Sequence, residues 1–240
     1  MKNIYIFLYF FCVSIVAENF KPFESTYEPL PPTNTIFRNA NIYDGEGNEL
    51  NNTDLIIKDG KVVAMGVDLP SSADLIEVDA SGKWITPGII DIHSHMGVYP
   101  APSVRTSSDG NEATSPVTAE VWAEHSIWVQ DPQYALALKG GVTTFHVLPG
   151  SANLIGGRGV TAKNLQRNTI NSMKFPDAPH SLKMACGENP KRVYGNRGQM
   201  PSTRMGNAAG YRKSWIKAQG YLSKLDEYEA KSDEAKELSY

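Results

Sequence analysis

The sequence predicts an α/β protein, and three features carry that expectation. Between residues 85 and 217 short apolar runs alternate with helical and loop-rich stretches, the pattern of parallel βα units. Residues 35–84 instead hold closely spaced strands divided by turn residues. Within Ile85 to His95, an isoleucine-rich run follows Pro87-Gly88 and closes on His93 and His95.

Each segment has its own signature. Residues 1–17 begin with the basic Met1-Lys2-Asn3, continue as an apolar or small run from Ile4 to Val16 and offer Ala17 for cleavage before Glu18, which is the pattern of a secretory signal peptide. The run is shorter than the roughly 20 residues a spanning helix needs, so the expectation is a secreted or periplasmic protein with no stable membrane anchor after cleavage. Residues 18–34 carry Pro22, Pro29, Pro31 and Pro32 without periodicity and predict an extended linker. In 35–84 the runs Asp54 to Lys58 and Lys61 to Met65 flank Asp59-Gly60, a two-residue hairpin signal, so a small antiparallel unit is expected there.

From 85 to 240 three strands are expected, centred on Ile90, Phe145 and Ala185. A helical segment from about Thr118 to Lys139 is broken near Asp131-Pro132, and Pro149 to Gly159 predicts a flexible glycine-rich loop. The third strand runs from Leu182 to Glu188 and holds Cys186 as a buried small residue. Beyond Asn207 a helix is expected, with Tyr211, Trp215, Ala218, Leu222 and Leu225 on one face.

The 41% hydrophobic and 20% charged content is that of a globular protein. A net charge of −3 gives no reason to expect nucleic acid as a partner. Cys12 falls within the leader, so Cys186 stands alone in the mature chain and no internal disulfide is expected.

The chemistry is concentrated where the isoleucine run ends. A strand repeats every two residues, so His93 and His95 share a face, and two neutral imidazoles aimed at one point bind a divalent metal. A hydrogen-bonded histidine pair at a sheet end is the alternative. Asp91 lies on the same face, as an orienting group for a ligand or as part of the floor beneath it. Glu188, by the same parity along the third strand, offers a carboxylate as a third ligand, and a turn cap before Asn189-Pro190 is its other reading.

Pro87-Gly88-Ile89-Ile90-Asp91-Ile92-His93-Ser94-His95 resembles the first-strand signature of the amidohydrolase superfamily. Gly140-Gly141-Val142-Thr143-Thr144 and Ala185-Cys186-Gly187-Glu188-Asn189-Pro190-Lys191-Arg192 are similar to its secreted branch related to imidazolonepropionase. The resemblance implies a (β/α)8 TIM-type barrel with its site at the C-terminal ends of the strands, beside a β-sandwich to which residues 35–84 contribute. Three strands make an incomplete barrel, so residues 85–240 read as the N-terminal part of a longer enzyme. The implied activity is metal-dependent hydrolysis of a C–N bond in a small-molecule substrate, an amide, a lactam or a related group, with one or two divalent ions, zinc by preference, held by His93 and His95. One branch of the family uses a glutamate at the end of strand three, which maps to Glu188, and others a carboxylated lysine on strand four. Two further histidines and a proton-handling aspartate have no counterpart here, and His125, His146 and His180 do not occupy ligand positions. Two rivals remain: a non-catalytic binding protein or truncated pseudoenzyme that keeps the signature, and a short protein whose open half-barrel closes as a homo-oligomer.

Overall fold

A computed structural model describes residues 22–237, so the leader expected at 1–17 lies outside the described residues. Strands β1 (Thr35–Tyr43), β2 (Glu49–Lys58), β3 (Lys61–Gly66), β4 (Ile76–Asp79) and β5 (Trp84–Ile85) form one five-stranded sheet in the order β3-β2-β1-β4, with β5 also on β1. Asp59 and Gly60 both have positive φ, 50° and 73°, as the type I′ turn between β2 and β3 demands. The sheet is mixed rather than antiparallel, because β4 and β5 run parallel to β1. β3 already runs in the direction of β1, and the 67–75 connection carries the chain back to the far side of β1 before β4 starts.

A bulge in β1 at Asn39, φ 55°, is held by one buried carboxylate. Asp54 accepts the Asn39 N–H at 3.0 Å, the Leu69 N–H at 3.1 Å and an Arg38 guanidinium N–H at 2.7 Å. Ala40, Ile42, Leu55 and Ala80 form the core of this sheet.

The α/β part begins with β6 (Ile89–Ser94), which pairs in parallel with β7 (Val142–Val147). Between them the chain makes 3-10 turns at Arg105–Ser107 and Ala123–His125 and a short helix α1 (Gln133–Lys139). The long helix expected over 118–139 is thus reduced to its last two turns. Asp131, fully buried, accepts the backbone N–H groups of Gly97 (2.9 Å) and Gln133 (3.0 Å), so it stops the chain where α1 begins. The glycine-rich run is not a flexible loop either: it folds into β8 (Ile155–Arg158), and β9 (Val160–Lys163) follows, antiparallel to β7. Gly157, at φ 115°, packs so closely on Val121 that a Cβ would lie 2.6 Å from its carbonyl oxygen.

β10 (Leu182–Met184) pairs antiparallel with β8, apart from the β6-β7-β9 sheet. It is shorter than the expected third strand and ends before Cys186, which is exposed. Two helices follow, α2 (Glu188–Gly195) and α3 (Arg204–Glu237). Only the first turns of α3 dock: Gly210 meets Leu154, and Tyr211 donates its hydroxyl to the carbonyls of Leu154 and Ala185. Trp215 and Leu222, expected on a buried face, are exposed. β6 departs from expectation in the same way, since Ile89, Ile90 and Ile92 are 52%, 63% and 76% exposed. These isoleucines lie on both faces of the strand, so neither face of its first four residues is fully covered among the described residues. The core sits around Tyr134, Phe145, Val147, Val160, Ala162 and Met173. No helix among the described residues is long and apolar enough to cross a membrane.

Residues 22–34 form neither helix nor strand, and part of this segment is docked. The Thr26 N–H donates to the Asn171 carbonyl at 3.0 Å, and the Ser25 hydroxyl donates to the Lys174 carbonyl at 2.8 Å. Beneath this strap lies an ion pair, Lys174 Nζ to Glu124 Oε2 at 2.6 Å, with both side chains buried and Lys174 also donating to the Phe23 carbonyl. Removing one partner strands the other charge, so Lys174→Met should destabilise the chain by about 3–5 kcal/mol, and adding Glu124→Leu should restore most of the loss. Urea unfolding of the full chain, followed by circular dichroism, measures both variants.

Candidate metal centre

β6 delivers the two histidines to the C-terminal end of the parallel pair, the end at which barrel enzymes build their sites. His93 is the last but one residue of the strand, and its backbone N–H donates to Asp91 Oδ1 at 3.0 Å. Asp91 therefore spends one oxygen on its own strand. His95 lies just beyond the strand, where the Leu148 N–H continues the pairing by donating to the Ser94 carbonyl at 3.0 Å. The imidazole rings of His93 and His95 lie 5.3 Å apart, edge to face.

The tautomer of His95 follows from its partner. Nδ1 is 2.8 Å from the Leu148 carbonyl oxygen, which can only accept, so Nδ1 carries the proton and Nε2 presents a lone pair. His93 Nε2 is 3.0 Å from Nζ of Lys183, in the middle of β10. Lys183 is 9% exposed, and burial lowers the pKa of its amine. The imidazole of His93 is likewise pushed below its usual value, first by the Lys183 charge, then by burial and by His95. The Lys183 charge thus favours the neutral form of His93.

Glu188 is not brought to this pair. It opens α2 and lies on the surface, bonded through Oε1 to Arg192 Nε at 3.0 Å, one helical turn on. Among the described residues no group of three or more His, Cys, Asp or Glu side chains stands together to cage a metal. Lys183, which the sequence reading passed over, is the third group at the histidines. A lysine inside an apolar run, Leu182-Lys183-Met184, was the available signal.

The remaining histidines have partners of their own. His146 on β7 holds Thr161 Oγ1 at 2.9 Å through Nδ1 and Ser181 Oγ at 2.6 Å through Nε2. Gly159 makes room for this, since a Cβ there would lie 2.6 Å from Ser181 Oγ. His180 Nδ1 lies 3.0 Å from the Gly159 carbonyl and its ring packs on Trp122, while His125 meets Phe23 of the strap.

Known proteins resemble this chain in sequence and fold. No family model matches the chain. The amidohydrolase tasK of Hapsidospora irregularis is 34% identical over 187 residues, covering 73% of this chain and 19% of the relative. An allantoinase of Bacillus licheniformis is 37% identical over 93 residues, 39% of this chain and 16% of the relative. The crystal structure of an amidohydrolase from Thermotoga maritima matches with a TM-score of 0.73 and 41% identity, covering 80% of this chain and 49% of that one. The class is an α/β protein of amidohydrolase architecture. The chain belongs to the amidohydrolase superfamily, and it spans less than half the length of each of these three relatives.

His146 gives the site a pH signature. Burial, then His180 and His93, lower its pKa below 6.5, so the folded chain holds it neutral while the unfolded chain protonates it. Stability from this group is present above the unfolded value and is lost as pH falls through the folded one. His146→Gln should therefore flatten the decline in stability between about pH 7 and about pH 5, where one imidazole proton is at stake. Urea unfolding of wild type and variant across that range measures the difference.

Proposed function

We propose that this chain carries part of the site of a metal-dependent hydrolase of C–N bonds, in which His93, His95 and Lys183 hold a divalent ion, zinc by preference. The observation that carries the reading is the contact of the buried Lys183 amine with His93 Nε2 at 3.0 Å, beside His95 at the end of the parallel strands. The donor set fits an ion. His95 Nε2 presents a lone pair, His93 favours its neutral form, and the two rings lie 5.3 Å apart with Lys183 on His93. A neutral lysine amine can add carbon dioxide, forming an N–C bond and releasing a proton, and the resulting carbamate offers two oxygens as ligands. Family branches with a carboxylated lysine on strand four offer a precedent for the chemistry, here placed on the third expected strand, and Glu188 keeps its pairing with Arg192.

A bound divalent ion supplies a water activated near neutral pH and polarises the scissile carbonyl. The chain's own residues position the reaction. Leu148 fixes the His95 ring through Nδ1, and Asp91 fixes the backbone of His93. Amide hydrolysis then joins the water oxygen to the carbonyl carbon, breaks the C–N bond and passes a proton to the departing nitrogen. Allantoinase and amidohydrolase relatives support a C–N bond as the target.

The purified chain should bind zinc, and His93→Ala and His95→Ala should each weaken binding by at least about 100-fold, the upper range for residues that merely orient a ligand. Titration calorimetry measures this, and carbon-13 NMR with labelled bicarbonate should show a carbamate signal that Lys183→Ala abolishes. A chain that ignores zinc, or that needs Glu188 as much as the histidines, contradicts the reading. We also place the mature protein outside the cytoplasm on the pattern of residues 1–17. N-terminal sequencing of the secreted product should start at Glu18.

A further inference from the structure

Helix α3 outruns the body that holds it. Asn207 and Gly210 are buried and Tyr211 and Ser214 half-buried, but from Trp215 to Lys231 every residue except Leu225 is exposed. Helices in proteins draw most of their stability from packing one face, and Gly220 in the middle of this stretch lowers its intrinsic stability further. We propose that the projecting part of α3 is the surface through which two copies of the chain associate, as an antiparallel pair of helices.

The apolar residues supply a seam. Tyr211, Trp215, Ala218, Leu222 and Leu225 follow one another at intervals of four, three, four and three, the a/d spacing of a coiled coil. The side of α3 that docks on the body, marked by Asn207, Gly210 and Ser214, lies about a quarter turn from this seam. Docking therefore leaves the seam open, and Ala208, one heptad before Trp215, is exposed. In antiparallel helices an a residue meets a d residue. A two-fold axis level with Gly220 sets Trp215 against the partner's Leu225 and Ala218 against the partner's Leu222, and symmetry repeats both layers. Tyr221, exposed in the single chain, then lies beside the partner's Tyr221. Such a contact is the same patch on both copies, so it closes as a dimer.

Charge selects the direction. Arg204, Arg212, Lys213, Lys217 and Lys224 all precede the first acidic residue of α3, Asp226, and Glu227 and Glu229 follow it closely. Parallel copies would set like charges side by side, whereas antiparallel copies lay the basic half of each helix on the acidic part of the other. The register fixed by the apolar layers makes one of these contacts specific. Arg212 and Asp226 both occupy the e position beside the seam, and e faces e in an antiparallel pair, so each Arg212 lies against the partner's Asp226. Apolar spacing and charge order, two independent features of the sequence, thus agree on one occupant: a second copy of this chain.

Analytical ultracentrifugation of the full chain over a wide range of concentration should show a monomer–dimer equilibrium. Leu222→Lys puts a charge into both central layers and should weaken association at least about 100-fold. Arg212→Asp and Asp226→Arg each create like-charge pairs on both sides of the axis and should each weaken it at least about tenfold. The double variant Arg212→Asp with Asp226→Arg restores opposite charges and should recover association. All three side chains are exposed in the single chain, so none of these changes removes a contact within the fold. A monomer at every concentration, a dimer indifferent to Leu222→Lys or to the charge swaps, or a double variant that recovers nothing overturns the proposal. A dimer closed along the open β6 strand instead would give the second of these results.

Discussion

The parallel pairing of β6 with β7 is the constraint from which the site follows. Ile89 lies opposite Val142 and Ser94 opposite Val147, and the pairing runs on to Leu148, whose carbonyl then takes the His95 ring. The start of β6 approaches β7 closely because residue 88 is glycine: a Cβ there would stand 2.2 Å from Thr143 Oγ1. Phe145 and Val147 bury the far face of β7, so the strand end that carries the histidines is backed by packed core while its own isoleucines remain open. Any change in that register would carry His93 away from Lys183 and His95 away from Leu148 together, since one ladder positions both.

What the sequence made legible was local and periodic. Asp59-Gly60 announced its hairpin because only such residues enter two successive positive-φ positions, and Pro87-Gly88 followed by an apolar run announced the strand that ends at the histidines. The third strand shows where the period-two rule fails. It holds only inside a strand, and β10 stops at Met184, after which Gly187 at φ 87° turns the chain into α2. Parity counted across that turn assigned the wrong face, so Glu188 was expected at the site and Lys183, on the alternate parity, was passed over. The glycine-rich run misled for a related reason. Glycine marks flexibility and close approach alike, and here Gly157 and Gly159 let β8 and the following turn press against Val121 and Ser181.

Long-range contacts were beyond reach for a different reason. The prolines of residues 22–34 predict a segment without helix or strand, but nothing local says that Ser25 finds Lys174, 149 positions away. Such docking depends on polar groups exposed by another part of the fold, in this case a buried lysine that needs carbonyl oxygens around it and takes that of Phe23. Composition likewise gave no sign that the stripe on α3 would lie open beyond its first turns.

The placement of Lys183 bears on what the site is for. A lysine only 9% exposed against an imidazole is a poor structural choice, because burial disfavours its charge and that charge disfavours protonation of His93. A methionine or leucine of similar length would fill the same volume beside Leu182 and Met184 without that cost, in line with the gains seen when buried charges give way to apolar residues. The same features that make the lysine unfavourable for packing make it suited to reaction, since lowering its pKa raises the fraction present as a free amine. His93 is lowered in step, first by the Lys183 charge beside it. Such a pairing of two basic groups at the rim of a parallel strand pair is costly as architecture, and that cost argues for a role beyond packing.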